Sequence, residues 1–503
     1  MQQTERGSRA YLVAIVMVAV LGGLLFGYDT AVISGAEKGL QAFFMESDDF
    51  KYTDTWHGFT SSSALIGCII GSALSGLLAT RLGRKRSLAI AGLLFFVSAL
   101  GSMYPEFLFF DSDDEPELSL LLMFNVYRII GGVGVGLASA ICPMYISEVA
   151  PSSIRGMLVS WNQFAIIFGQ LVVYFVNFFI LGDHLQPLVE EMGHGLANIN
   201  PAAQWTVTTG WRYMFGSEAV PAGLFTLLIC LVPETPRYLV SIGEDQKALH
   251  VLTRINGRER AEFVLSAIKE TLVQKVEPLL SYGGMCIFVG IMLSVFQQAV
   301  GINAVLYYAP RIFGDMGMES PMVITVVMGV INILFTLVAI FTVEKLGRKP
   351  LLIWGSLGMA VGAMGVALTF GQPGWELITA GSIMVYSASF MFSWGPICWV
   401  LIAEIFPNTI RGLAVAIAVA AQWISNFVVS SSFVPMFNMH LEDGDNFGHW
   451  FTYGLYGVIC LVAAFFVWKY VPETKGKTLE DMTKLWRWKA YVPSKVNAIV
   501  DKL

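Results

Sequence analysis

The sequence predicts an all-α membrane protein of about twelve membrane-spanning helices in two six-helix halves. Three observations carry that prediction. Only 14% of the 503 residues are charged while 55% are hydrophobic, against roughly 25% charged in an ordinary soluble domain. Twelve apolar stretches of about 20 residues follow one another along the chain, the length a helix needs to cross a bilayer. Three short polar motifs of the first half return, in the same order, in the second.

The apolar stretches lie near 11–33, 58–80, 87–108, 118–142, 157–181 and 211–232, and then near 280–308, 320–343, 350–371, 375–402, 412–437 and 449–470. They are Gly-rich and lack period-2 alternation, which makes them helices and not barrel strands. The first starts too near the terminus and runs too long for a cleaved signal peptide. Residues 236–279 are polar and helix-prone, so a cytoplasmic helical linker is expected between an N-terminal half (1–235) and a C-terminal half with a short cytoplasmic tail (280–503).

Lys and Arg gather at Arg6 and Arg9, in "RLGRKRS" (81–87), at Arg155 and along the linker, whereas the alternate loops "ESDDF" (46–50) and "DSDDEPE" (111–117) are acidic. This bias places both termini in the cytoplasm. The net charge of −6 therefore sits in the external loops and points to no nucleic acid. All six cysteines fall in apolar stretches, which indicates neither a disulfide framework nor a metal cluster. His57, His184, His194, His440 and His449 fall in the expected external loops and His250 in the linker, with no metal spacing among them. With no Walker loop and no catalytic constellation, the sequence gives no sign of an enzyme, of ATP drive or of a cofactor.

The internal repeat pairs "RLGRKRS" with "KLGRKPL" (345–351), "SEVAPSSIRG" (147–156) with "AEIFPNTIRG" (403–412), and "PETPR" (233–237) with "PETKG" (472–476). The offsets are 264, 256 and 239 residues, from Gly83 to Gly347, Arg155 to Arg411 and Pro233 to Pro472. Parallel six-helix halves with a substrate site between them describe a large class of secondary transporters.

Ionisable residues well inside the expected spans number three, Asp29, Arg128 and Glu218, all in the first half. A charge at the centre of a bilayer costs roughly 2.5–3.5 kcal/mol on insertion scales and seldom persists without a partner or a task. Counting inward at 1.5 Å per residue puts Arg128 and Glu218 roughly 10–15 Å deep, with Asp29 at a comparable depth if its helix continues to about Leu40. One reading is a static ion pair that holds three helices together. The other is a proton switch: burial favours a protonated carboxyl, a neighbouring guanidinium favours the ionised one, and motion between them changes which form wins.

The paired "GRK" loops, the two Glu-x6-Arg-Gly stretches, "PETPR", "PETKG", "QQAVGIN" (297–303) and "GPICW" (395–399) resemble the sugar porter family of the major facilitator superfamily over nearly the whole chain. The stretches "LGGLLFGYDTAVISG", "NQFAIIFGQ", "GINAVLYYAP" and "AIAVAAQW" are similar to its bacterial xylose-transporting, proton-coupled members. One departure is visible: Thr80 stands where the superfamily pattern usually has Asp, while Glu344 keeps an acid at the equivalent place in the second half.

A sugar is neutral and rich in hydroxyls, so its site needs amides that donate and accept, together with aromatic faces. Gln163 and Gln170 are seven residues apart on one helical face, Gln422 and Asn426 are four apart beside Trp423, and Gln297, Gln298 and Asn303 bracket Gly301. That last group cannot share a face of a straight helix, which predicts a break at Gly301. A lone Gln in a span is more often interhelical glue than ligand. The resemblance implies a sugar-binding set of Gln163, Gln170, Gln297, Gln298, Asn303, Trp399, Gln422 and Trp423, with Phe26 and Tyr307 as pocket neighbours and external gate elements. It also implies a cytoplasmic gate of ion pairs among Arg84, Glu148, Arg155, Glu234, Arg348, Glu404, Arg411 and Glu473. Positive-inside decoration is the alternative for these last.

The expectation is a monomeric, proton-coupled monosaccharide symporter of a bacterial inner membrane, with D-xylose as the first candidate sugar, working by alternating access. Two alternatives stand beside it. A uniporter is opposed by Asp29, where the facilitative relatives carry Asn. A sugar sensor is opposed by the roughly 30 residues after the last span, too few for a signalling domain.

Overall fold

The structure, a computed structural model, describes residues 7–106, 116–151, 154–181, 205–272, 278–318, 320–407, 409–440, 447–475 and residue 486. Among the described residues every regular element is helical, and eleven of the helices are long and apolar enough to cross a membrane. The twelfth expected stretch is also helical, from 205 to 229, but in pieces: a π-helical turn Thr206–Gly210, α6 (Trp211–Ser217) and α7 (Ala219–Ile229), interrupted at Glu218.

By contact the chain forms two compact units. The first is Met1–Val273 with Asn303–Val330 and Ser430–Asn438. It contains α1 (Arg9–Met45), α2 (Asp54–Arg81), α3 (Arg84–Met103), α4 (Leu118–Val149) and α5 (Arg155–Leu181), followed by α6 and α7. Helix α1 opens on Ser8, which accepts the Tyr11 N–H at 3.2 Å, and α2 opens on Thr53, which accepts that of Trp56 at 3.4 Å. Such caps satisfy amides that have no partner within the helix. At 37 residues and 1.5 Å each, α1 is about 55 Å long, well beyond the hydrocarbon thickness.

Small residues set the spacing of the helices. A Cβ on Gly67 or Gly71 of α2 would strike the carbonyls of Ile129 and Val133, and one on Gly132 or Gly136 of α4 would strike those of Ala64 and Cys68. Each pair is four residues apart, so both helices present a glycine groove at the crossing and their backbones meet directly. The α1–α5 crossing works in the same way, through Gly27 against Ile166 and Gly169 against Leu24. The linker supplies α8 (Pro236–Ser241), α9 (Asp245–Asn256) and α10 (Arg258–Leu272). Helix α9 buries Ala248, Val251, Leu252 and Ile255 along one stripe, and Arg254 lies 3.8 Å over the ring of Tyr11.

The second unit is Gln274–Ile302, Ile331–Val429 and Met439–Leu503. It begins with α11 (Gly284–Ala299), which stops where predicted: Gly301 has φ +89° and its Cβ position is occupied by the ring of Tyr456. The carbonyl of Val300, freed by the break, accepts the buried hydroxyl of Tyr386. Beyond the break come α12 (Ile302–Tyr307), α13 (Ala309–Asp315), α14 (Pro321–Leu346), α15 (Arg348–Thr369), α16 (Glu376–Phe392), α17 (Trp394–Ile405), α18 (Arg411–Phe437) and α19 (Phe447–Tyr470). Helices α12 and α13, the first part of α14 and the end of α18 group with the first unit.

Candidate functional site

The three intramembrane charges converge. Asp29 is 0% exposed, Arg128 2% and Glu218 1%. Arg128 Nη1 donates to Asp29 Oδ1 at 2.6 Å and Nη2 to the Asp29 backbone carbonyl at 3.2 Å, while the guanidinium lies 5.0 Å over the ring of Phe215. Glu218, at the joint between α6 and α7, feels the charges of both and lies within hydrogen-bonding reach of Asp29. Yet Asp29 Oδ2 and Glu218 Oε1 accept no hydrogen bond among the described residues. Two carboxylates have no proton to share. With both acids ionised the trio carries one excess negative charge, and one added proton would neutralise it and join the two acids.

The expected sugar residues fall in both units. In the first, Gln163 and Gln170 lie on α5, Phe26 on α1, and Asn303 and Tyr307 on α12. Gln170 is buried with its Oε1 unpartnered among the described residues, and one turn further Tyr174 donates to the carbonyl of Leu306 at 3.2 Å. In the second, Gln297 Nε2 donates to the carbonyls of Trp394 (3.0 Å) and Gly395 (3.3 Å), and Gln422 Nε2 donates to Gln297 Oε1. Gln298 Nε2 reaches the same oxygen at 3.5 Å. Gln297 thus bonds neighbouring helices, and at the end of the amide chain the buried Gln422 Oε1 has no hydrogen-bond partner among the described residues. Trp423 is buried beside it and Trp399 half-buried on α17.

The expected gate residues repeat one local design in each unit. In the first, Arg84 pairs with Glu148 at 2.8 Å, and Glu234 accepts the backbone N–H groups of Arg84 and Lys85, each at 3.1 Å. In the second, Arg348 pairs with Glu404 at 2.9 Å, and Glu473 accepts from Arg348 at 3.0 Å and Lys349 at 2.9 Å. Each Glu caps the positive end of the helix that follows a positive-φ glycine, Gly83 or Gly347. Burial raises the pKa of Glu234 against the N–H donors that lower it. At Glu473 burial also acts upward, but the donors from Lys475, Arg348 and Lys349 win and the carboxyl is held below its usual range. Arg155 and Arg411 donate to the carbonyls of Ala150 (3.5 Å) and Phe406 (3.2 Å). Thr80 bonds its own helix, to the carbonyls of Gly76 and Leu77, and the Glu344 side chain lies outside the described residues.

Buried ionisable groups are more numerous than the three that the sequence predicts. Glu37, Lys38, His57, Arg212 and Arg311 are also buried in the first unit. The expected span ended near residue 33, but α1 continues to Met45 and carries Glu37 and Lys38 inside. His57 lies within α2 at 0% exposure, and His449 lies on α19 against Phe370, neither in a loop. His184 and His194 lie outside the described residues. The signal available was the "GAEKGLQAFF" run, whose apolar residues keep helical spacing on both sides of the charges.

Two units of long apolar helices, a repeated motif at each "GRK" turn and a buried acid–guanidinium trio define a membrane transporter of the major facilitator type. The chain belongs to the sugar transporter family: the model described as "Sugar (and other) transporter" matches residues 15–486. It is 48% identical to the D-xylose-proton symporter of Escherichia coli (strain K12) over 491 residues, covering 95% of this chain and 96% of that one. It is 39% identical to the glucose transport protein of Synechocystis, covering 94% and 97%. Among solved structures, that of the proton:xylose symporter XylE bound to 6-bromo-6-deoxy-D-glucose superposes with a TM-score of 0.79 at 47% identity, covering 95% of this chain and 99% of that one.

Proposed function

We propose that the protein is a proton-coupled monosaccharide symporter that imports D-xylose, or a closely related sugar such as glucose, by alternating access. The observation that carries the coupling is the trio of Asp29, Arg128 and Glu218: buried, with two acids against one guanidinium, and with Asp29 Oδ2 and Glu218 Oε1 accepting no hydrogen bond among the described residues. A proton entering there changes the local charge, and with it the strength of the Asp29–Arg128 bond that ties α1 to α4. Sugar hydroxyls are assigned to Gln163, Gln170, Gln297, Gln298, Asn303 and Gln422, with Trp399 and Trp423 as apolar faces, and Gln297 also holds the amide chain in place. Phe26 and Tyr307 border the site. The pairs centred on Arg84 and Arg348 work the cytoplasmic gate together with Arg155 and Arg411.

The D-xylose-proton symporter among the relatives and the sugar-analogue complex of XylE support the choice of substrate and ion. The functional halves are 1–235 and 280–503, joined by the linker 236–279, in a monomer of the bacterial inner membrane with both termini cytoplasmic, as the distribution of Lys and Arg favours. Counterflow of labelled sugars in proteoliposomes tests the reading: xylose should exchange, and should alkalinise a lightly buffered exterior when added to energy-depleted vesicles. Accumulation that requires sodium and survives a protonophore would overturn the proton assignment.

A further inference from the structure

We propose that Glu37, Arg311 and His57 form a proton-sensitive latch that fastens the segment after the Gly301 break to α1 and so holds the outer entrance shut during the transport cycle. The proposal rests on the transport reading only for which end faces outward. All its contacts lie within the first unit.

Glu37 stands eight residues beyond Asp29 on α1 and is 0% exposed. Its Oε2 receives His57 Nε2 from α2 at 2.9 Å and Arg311 Nη1 from α13 at 3.3 Å. Arg311 Nη1 also donates to Gln41 Oε1 at 2.9 Å, one turn further along α1, and Lys38 Nζ meets Asp315 at 3.2 Å. Arg311 Nε and Asp315 pair at 3.8 Å along α13. Asp54 closes the far side, accepting from Gln41 at 3.4 Å and from Asn438 at 2.9 Å. Thus α12 and α13 follow the second unit in sequence but are held by side chains to the first. The chain joining them to α11 turns at Gly301, where no helix transmits stiffness.

The charges of the cluster are unequal in number. With His57 neutral, Glu37, Asp54 and Asp315 oppose only Lys38 and Arg311. Among the described residues, the imidazole also faces Tyr52 and Tyr308. Protonating His57 supplies the missing positive charge beside Glu37. The surroundings accept either state: Nε2–H donates to Glu37 in both, while Tyr52 Oη, 3.2 Å from Nδ1, donates to the neutral ring and accepts from the charged one. The Tyr52 O–H released by the change has Thr60 as its other hydrogen-bond partner. The sign follows: a more acidic exterior tightens the latch. Glu37 and Arg311 are positioning residues, eight residues along the chain from Asp29 and Asn303 respectively.

Double electron–electron resonance on the full chain in nanodiscs tests this, with spin labels at Met45→Cys and Met318→Cys in a background where the exposed Cys230 is replaced by Ser. The parent should show a short-distance population that grows as the pH is lowered. Glu37→Gln and Arg311→Met should raise the ratio of long to short distances about tenfold. His57→Gln, which keeps a donor to Glu37, should keep the short population and lose its pH response. Should the Glu37 variant fail to fold, Asp315→Asn removes the outer contacts from a partly exposed position and should produce a smaller shift in the same direction. Unchanged distances in these variants, or a pH response that survives in His57→Gln, would overturn the latch. Xylose counterflow by the parent is scored separately, so a failed transport reading and a failed latch give different results.

Discussion

Replacing Asp29 with Asn should separate exchange from accumulation. The side chain keeps its shape and one acceptor for Arg128 Nη1, now 2.6 Å from the carboxylate, but can no longer bind and release a proton. Breaking a buried ion pair by removing one partner costs about 3–5 kcal/mol. Here Glu218 remains as a counter-charge to Arg128, so the loss of stability should fall at or below about 3 kcal/mol, and the variant should fold. The transport consequence is larger. A neutral sugar moving with one proton carries one charge inward, worth about 2.3 kcal/mol per 100 mV. A potential of about 150 mV then supplies roughly 3.5 kcal/mol, or about 300-fold accumulation at 1.4 kcal/mol per tenfold. In proteoliposomes with an imposed potassium diffusion potential, the parent should approach that ratio with labelled xylose. Asp29→Asn should equilibrate near unity while its counterflow persists. Gradient-driven accumulation by the variant at the parent's level would refute the assignment of Asp29 as the proton carrier.

Arg128→Leu should impair exchange as well as accumulation, because two buried acids lose the Arg128 guanidinium; retained counterflow at the parent's rate would contradict this. Gln422→Ala or Asn303→Ala should each weaken xylose binding by about 1–3 kcal/mol in calorimetry, through sugar hydroxyls left unpaired, and Gln297→Ala should also lower thermal stability because its amide ties α11 to α17 and α18. The two capping acids should respond oppositely to pH. Glu473, with its pKa lowered, contributes stability above the ordinary Glu range that is lost as pH falls through its folded value; Glu234, with its pKa raised, contributes stability that is lost as pH rises through its folded value. At neutral pH, Glu473→Gln should therefore lower the melting temperature more than Glu234→Gln, and equal shifts would refute the difference. Gly301→Val should abolish xylose exchange, since φ +89° and the Tyr456 ring leave no room for a branched side chain.

The fold was legible because its determinants are local. Stretch length, the absence of charge and the recurrence of three polar motifs each depend on residues near one another, and a bilayer converts them directly into helices. The break at Gly301 was legible for the same reason: amides at positions 297, 298 and 303 cannot share one helical face. The Asp29, Arg128 and Glu218 trio was legible because charge inside an apolar run is expensive, so three such residues at similar depth are driven together.

What the sequence left open were the pairings between distant segments. Counting apolar residues ended the first span before Glu37 and placed His57 in a loop, because a charged residue reads as a boundary when its partner is unknown. Only the tertiary structure brings Arg311, 274 positions away from Glu37, to the same point on α1 and makes those buried charges tolerable. The same holds for Gln297, an amide visible in the sequence whose partners, the Trp394 carbonyl and Gln422, come together only in the tertiary structure. Hydropathy and motif spacing are properties of a chain segment; the satisfaction of a buried charge or amide is a property of what packs against it, and that is fixed only when the helices meet.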